Sequence, residues 1–182
     1  MSVQITYFVH GTTTDNEKNI SSGWKDVELS DLGVRQSEEL LDKINGQKLD
    51  AIFCSDLKRA VDSAHITWGG SDMPIIEDAR LRECNYGDYN GMSSDVVEPM
   101  QEINIDTPFP HGESYNDVKN RMESFLNFLR ENYAGKHVAI VAHKAPQLCL
   151  DVILKDMTFE QAFANDWRKV KAWRAGWEYE VK

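Results

Sequence analysis

Cysteine is scarce and scattered in this chain. Its three residues, Cys54, Cys84 and Cys149, are odd in number and include no C-x-x-C pair. That argues against a disulfide framework and reads as free thiols of a reducing compartment, two of them expected to be simply buried. Basic residues are outnumbered, 20 Lys and Arg against 30 Asp and Glu, for a formal charge of −10. Such a balance excludes nucleic acid and anionic membrane as expected partners. No apolar run approaches the roughly 18 residues of a membrane span, and Met1–Val9 lacks a basic n-region and a small-residue cleavage site. A cytoplasmic protein is the expectation. Internal repeats, low-complexity tracts and linkers are also missing, so residues 1–182 are read as one domain.

What is present is a 41% hydrophobic sequence in which apolar strand-like runs alternate with amphipathic helices. Val3–Val9 is aromatic and β-branched, the profile of a strand buried on both faces. Asp50–Cys54 and His137–Ala142 read the same way, and Pro74–Asp78 is a shorter third strand in chain order. Helical spacing runs from Ser30-Asp31 to about Ile44, with Leu32, Leu40, Leu41 and Ile44 on one face and Asn45-Gly46 as the stop. A second helix runs from Asp56 to about Thr67 with Ser55 as N-cap. Ser93–Glu102 is a weaker helical stretch. The capping pair Ser114 and Asp117 opens the longest helix, to about Tyr133, and Pro146–Leu154 is another. Trp177–Val181 is expected as an edge strand, and Trp167, Trp173 and Trp177 as pins for the chain end. This alternation predicts a three-layer α/β/α sandwich with a mostly parallel central sheet.

Three strand-to-helix junctions deliver chemistry to one sheet edge. Val3–Val9 ends in His10-Gly11, His137–Ala142 ends in His143, and Asp50–Cys54 leads to Arg59 one turn into its helix. In a parallel sheet all three lie at the carboxyl edge, where open α/β folds bind ligands. A single histidine at a strand end more often serves structure, and a single arginine or glutamate is usually a solvated surface residue. The joint placement is what points to function. Two imidazoles and a guanidinium suit a tetrahedral oxyanion. A neutral histidine with one ring nitrogen held by a carbonyl can attack phosphorus through the other. Glu83, in Leu81-Arg82-Glu83, is the candidate acid for the leaving alkoxide. His65, His111 and His137 read as face, surface and strand-start residues without metal-ligand spacing. Cys54 and Arg59 are too closely spaced, and too poor in glycine, for a cysteine-phosphatase loop.

The chain resembles the histidine phosphatase superfamily, also called the phosphoglycerate mutase-like family, over nearly its whole length. His10-Gly11-Thr12-Thr13-Thr14-Asp15-Asn16 is similar to the HGxTxxN loop, and Asp26–Gly33 to the D-x-x-L-S-x-x-G segment. Cys54–Ala60 is similar to SSxLxRA, Leu81–Gly87 to LREhxfG, Gly112-Glu113-Ser114 to GES, and Val141-Ala142-His143 to VSH. The resemblance implies that His10 becomes a transient phosphohistidine, that Arg59 and His143 bind the phosphoryl group, and that Glu83 donates the proton. It implies substrate contacts at Gly11, Asn16, Ser22 and Gly23, no metal, and no cofactor. The implied activity is that of a phosphomonoesterase of the histidine acid phosphatase type, acting on a small phosphorylated metabolite. Chain length leans toward phosphatase over mutase, since mutases of the family are usually longer.

One position departs from the pattern. The family has Arg immediately before the nucleophile, and here Val9 stands there. Lys144, directly after His143, is the candidate replacement cation for the substrate phosphate; its plain alternative is a surface lysine at a helix start. A phosphoglycerate mutase-type transferase is a second reading, and a degenerate relative that binds a phosphorylated ligand without turnover is a third. The substrate and the oligomeric state, a homodimer included, stay open.

Overall fold

The computed structural model describes residues 1–44, 46, 48–169 and 176–182; Asn45 and Trp173 lie outside this set. Strands β1 (Val3–Val9), β3 (Ala51–Cys54), β4 (Ile75–Glu77), β6 (His137–Ala142) and β7 (Trp177–Val181) form one sheet in the order β4-β3-β6-β1-β7. The pairs β1–β6, β3–β6 and β3–β4 are parallel, and β7 runs antiparallel on the edge of β1. A two-stranded antiparallel sheet, β2 (Ile20–Ser21) with β5 (Met92–Ser93), stands apart from it.

The sheet is apolar on both faces because helices cover both. Phe8, Ile52, Cys54, Ala139 and Val141 point to one side, where Ile44 of helix α1 (Asp31–Ile44) and Ala64 and Trp68 of helix α2 (Lys58–Trp68) meet them. Ile5, Tyr7, Phe53, Val138 and Ile140 point to the other. There they meet Val118, Met122, Phe125, Leu126 and Leu129 of helix α4 (Tyr115–Asn132), and Leu148 and Cys149 of helix α5 (Lys144–Leu154). Each such fully buried large side chain contributes about 1.5–3 kcal/mol. All three cysteines are free and buried, one more than expected. No helix among the described residues is long and apolar enough to cross a membrane.

Four local expectations are corrected. In α1, Leu32 and Leu41 are 42% and 49% exposed, and the inward face is Gly33, Ser37, Leu40 and Ile44. Small residues are required there because the loop after β1 lies on the helix: a Cβ on Gly33 would sit 2.0 Å from the Thr12 carbonyl, and one on Gly11 2.4 Å from the Gly33 carbonyl. Helix α2 begins at Lys58, not Asp56, and Leu57 rather than Ser55 is its N-cap residue. Its first turn is capped from a distance, Asp26 Oδ1 accepting the Lys58 N–H at 2.9 Å, while the Asp56 carboxylate is held by Arg82. Helix α5 starts two residues before Pro146, which fits because a proline in the first turn forfeits no helical hydrogen bond. The stretch Ser93–Glu102 divides into the end of β5, a short helix α3 (Ser94–Val97) capped by Ser93, and a 3-10 turn, Glu98–Met100.

Candidate active site

The parallel pairing of β1, β3 and β6 brings the three junctions together as the sequence predicts. The His10 N–H donates to the Ala142 carbonyl at 3.0 Å, which ties the two histidine-bearing strand ends side by side. The rings of His10 and His143 lie 5.0 Å apart, centre to centre.

His10 has a defined tautomer. Its Nδ1 is 2.7 Å from the Gly11 carbonyl, which can only accept, so Nδ1 carries the hydrogen and Nε2 the lone pair. The Arg59 Nε–H points at that lone pair from 3.3 Å. Burial first, and then the Arg59 charge, hold the imidazole's pKa down to about 3, so the ring is neutral near pH 7. Arg59 is itself fixed: Nη1 donates to the Lys25 carbonyl at 3.0 Å and Nη2 to the Gly23 carbonyl at 2.8 Å.

His143 is the N-cap residue of α5 and is fully buried. Tyr7, a core residue of β1, clamps its backbone from both sides, donating to the His143 carbonyl at 2.6 Å and accepting the His143 N–H at 3.0 Å. Neither ring nitrogen has a hydrogen-bond partner among the described residues. Burial, with Arg59 and His10 nearby, keeps this imidazole well below its usual pKa. A buried polar ring left without partners is costly unless something else completes it, and an oxyanion would.

Glu83 reaches the same place from the segment after β4. Its Oε1 accepts the Cys84 and Ala145 N–H groups at 2.8 and 3.0 Å, which leaves Oε2 as the oxygen able to carry a proton. The segment is pinned by Arg121 of α4, which donates to the carbonyls of Arg80, Arg82 and Glu83 and pairs with Glu113. Trp24 Nε1 adds a bond to the Glu83 carbonyl at 2.7 Å. Neither Tyr7 nor Arg121 stands out in the sequence, where one reads as core strand and the other as helix surface.

A cavity of about 370 Å³ is lined by His10, Arg59 and Glu83, while His143 lies fully buried behind its wall and is not among the lining residues. Asn16, Ser22 and Gly23 line it too. Gly11 does not: its N–H donates to Ser63 Oγ and its carbonyl accepts from His10 Nδ1, so it orients the His10 ring. Val9 lines the cavity, and so does Lys144, which is buried rather than a surface residue. Additional walls come from Thr12 and Gln36, which sequence reasoning did not single out, and from Tyr86, Trp167 and Arg168. Trp167 and Trp177 rings sit 6.0 Å apart, so the first of them both pins the chain end and faces the site. The other histidines are elsewhere. His65 is exposed, His111 is exposed beside Asp88, and His137 bonds Thr6 Oγ1 at 2.8 Å.

Comparison with known proteins identifies the family. The sequence profile of the histidine phosphatase superfamily (branch 1) matches residues 7–178. A 2,3-bisphosphoglycerate-dependent phosphoglycerate mutase of Allorhizobium ampelinum is 32% identical over 168 residues, covering 84% of this chain and 79% of that protein. Among solved structures, YhfR of Bacillus stearothermophilus superposes with a TM-score of 0.78 at 28% identity, covering 88% of this chain and 83% of that one. A mycobacterial glucosyl-3-phosphoglycerate phosphatase superposes with a TM-score of 0.76 at 26% identity, covering 90% and 84%. The chain belongs to the histidine phosphatase superfamily, branch 1, a family of phosphoryl-transferring enzymes.

Proposed function

We propose that the protein is a phosphoric monoester hydrolase of the histidine acid phosphatase type, acting on a small phosphorylated metabolite in the cytoplasm. The observation that carries this reading is the pair of unpartnered ring nitrogens on buried His143, beside a His10 whose Nε2 lone pair accepts only the long 3.3 Å contact from Arg59 Nε–H, a donor that an arriving phosphoryl oxygen can take over. In the first step Nε2 bonds to phosphorus as the ester P–O bond breaks, and the leaving oxygen takes a proton from Glu83 Oε2. His143 and Arg59 donate to the phosphoryl oxygens as charge develops on them. In the second step a water gives its proton to the Glu83 carboxylate and attacks phosphorus, releasing orthophosphate and neutral His10. Val9 leaves this site one guanidinium short, and Lys144 supplies a point charge from the same cavity wall.

A phosphoglycerate mutase-type transfer is the second reading, favoured by the relative of that name. Both are tested by offering a panel of phosphorylated metabolites, with 3-phosphoglycerate plus 2,3-bisphosphoglycerate among them. Release of orthophosphate that His10→Ala abolishes supports the hydrolase, and formation of 2-phosphoglycerate supports the mutase. Orthophosphate release undiminished in His10→Ala, or no turnover of any ester, contradicts both.

A further inference from the structure

Three charged side chains outside the reaction steps gather around Lys144 from two other parts of the chain, Glu98 from one and Asp166 with Arg168 from the other. Asp166 follows helix α6 (Phe159–Ala164) and is 1% exposed, a placement a carboxylate tolerates only when paired. Arg168 pairs it twice over. Its main-chain N–H donates to Asp166 Oδ1 at 3.0 Å, and its Nη2 lies 3.2 Å from Oδ2. The same Nη2 closes on Glu98 Oε1.

The ammonium of Lys144 faces the very two oxygens that Arg168 occupies. Nζ is 3.7 Å from Glu98 Oε1 and 3.9 Å from Asp166 Oδ2. Those distances hold a charge in place but exceed a hydrogen bond. Among the described residues Nζ makes no hydrogen bond, although the side chain is only 9% exposed and lines the cavity with Val9 and His10. Two cations and two carboxylates therefore balance, with every close contact taken by the guanidinium and none by the ammonium.

We propose that Glu98, Asp166 and Arg168 are positioning residues that keep Lys144 at the cavity wall, attracted but not hydrogen-bonded, so that an arriving phosphoryl group can take its N–H donors. The inference rests on the reading that Lys144 serves the phosphoryl group in place of the arginine missing at position 9. Arg168 is the part that keeps the ammonium available: without it, both carboxylates are free to close on Nζ. Glu98 acts in the opposite sense, as a tether.

Binding of inorganic phosphate by calorimetry, with the whole chain, tests this in a cycle with Lys144→Met. Arg168→Gln is expected to weaken phosphate binding, and the near-isosteric Glu98→Gln at a 29% exposed side chain to tighten it. Each effect should be about fivefold when Lys144 is present and under about twofold in Lys144→Met, within the coupling expected of one ion-pair network. KM for a generic phosphoester should follow the phosphate affinity, with kcat nearly constant. If Lys144→Met binds phosphate as the unaltered protein does, the reading of Lys144 falls and the positioning role with it. If Lys144→Met weakens binding but the Glu98 and Arg168 substitutions act equally in both backgrounds, Lys144 keeps its role and the positioning proposal is overturned.

Discussion

Arg59 aims its Nε–H at the lone pair of His10 Nε2 from 3.3 Å, with its other two nitrogens already committed to the carbonyls of Lys25 and Gly23. The guanidinium is therefore oriented before any substrate arrives, and only its Nε edge faces His10. Replacing an oriented donor to a developing oxyanion costs on the order of a hundred- to a thousand-fold in rate. Arg59→Ala is expected to lose that much in kcat/KM for a generic phosphoester. Arg59→Lys keeps the charge without the fork, so it should recover only a small part. Equal activity in Arg59→Lys and the unaltered enzyme would contradict the assigned geometry.

Val9 and Lys144 line the same cavity, and a guanidinium at position 9 is what the family pattern supplies. Lys144→Met should lower kcat/KM by about ten- to a hundredfold, the scale of one charged donor that is not bidentate. Val9→Arg in the Lys144→Met protein should then restore at least half of the loss on a logarithmic scale. No loss in Lys144→Met would show that the enzyme works without a replacement cation.

Glu83 is expected to matter in proportion to the basicity of the leaving group. Glu83→Gln keeps an acceptor for the Cys84 and Ala145 N–H groups but carries no transferable proton. The rate on alkyl phosphates should fall by roughly a hundred- to ten-thousandfold, and much less on p-nitrophenyl phosphate, whose leaving group needs no acid. A uniform loss on both esters would assign Glu83 to binding instead.

Much of this site was legible from the chain because both candidate histidines follow directly from short apolar runs. Val3–Val9 and His137–Ala142 are buried strands whose ends could only be His10 and His143. The supports were not legible, since they act between segments distant in sequence. Tyr7 holds the His143 backbone and Arg121 holds the Glu83 segment, yet in sequence they are one more strand aromatic and one more helix cation. Leu32 and Leu41 suggested the wrong face for α1, because the close approach of the His10 loop requires Gly33 there, not a large apolar residue. Lys144 was ambiguous until its burial beside Glu98, Asp166 and Arg168 was seen, since none of those three residues belongs to a motif.

The buried neutral imidazoles also make stability depend on pH. In the unfolded chain a histidine takes up its proton near pH 6.5, whereas His10 in the fold does so near pH 3, chiefly because it is buried, and His143 is lowered in the same direction. Between those values the unfolded state binds more protons, so stability rises with pH and is lost on acidification from about 6.5 toward 3. The slope is about 1.4 kcal/mol per pH unit for each such histidine. Thermal denaturation of the ligand-free protein from pH 7 to 4 should show a shallower decline in His10→Gln than in the unaltered chain. Parallel curves would mean that His10 is already charged in the folded state.

The covalent intermediate is the most direct test of the account. Protein mixed with a radiolabelled phosphoester and quenched within milliseconds in alkaline detergent should carry phosphate that is stable to alkali, labile to acid, and mapped to His10. The label should appear before free orthophosphate and be missing from His10→Ala. Undiminished hydrolysis by His10→Ala, or label on any other residue, would contradict it.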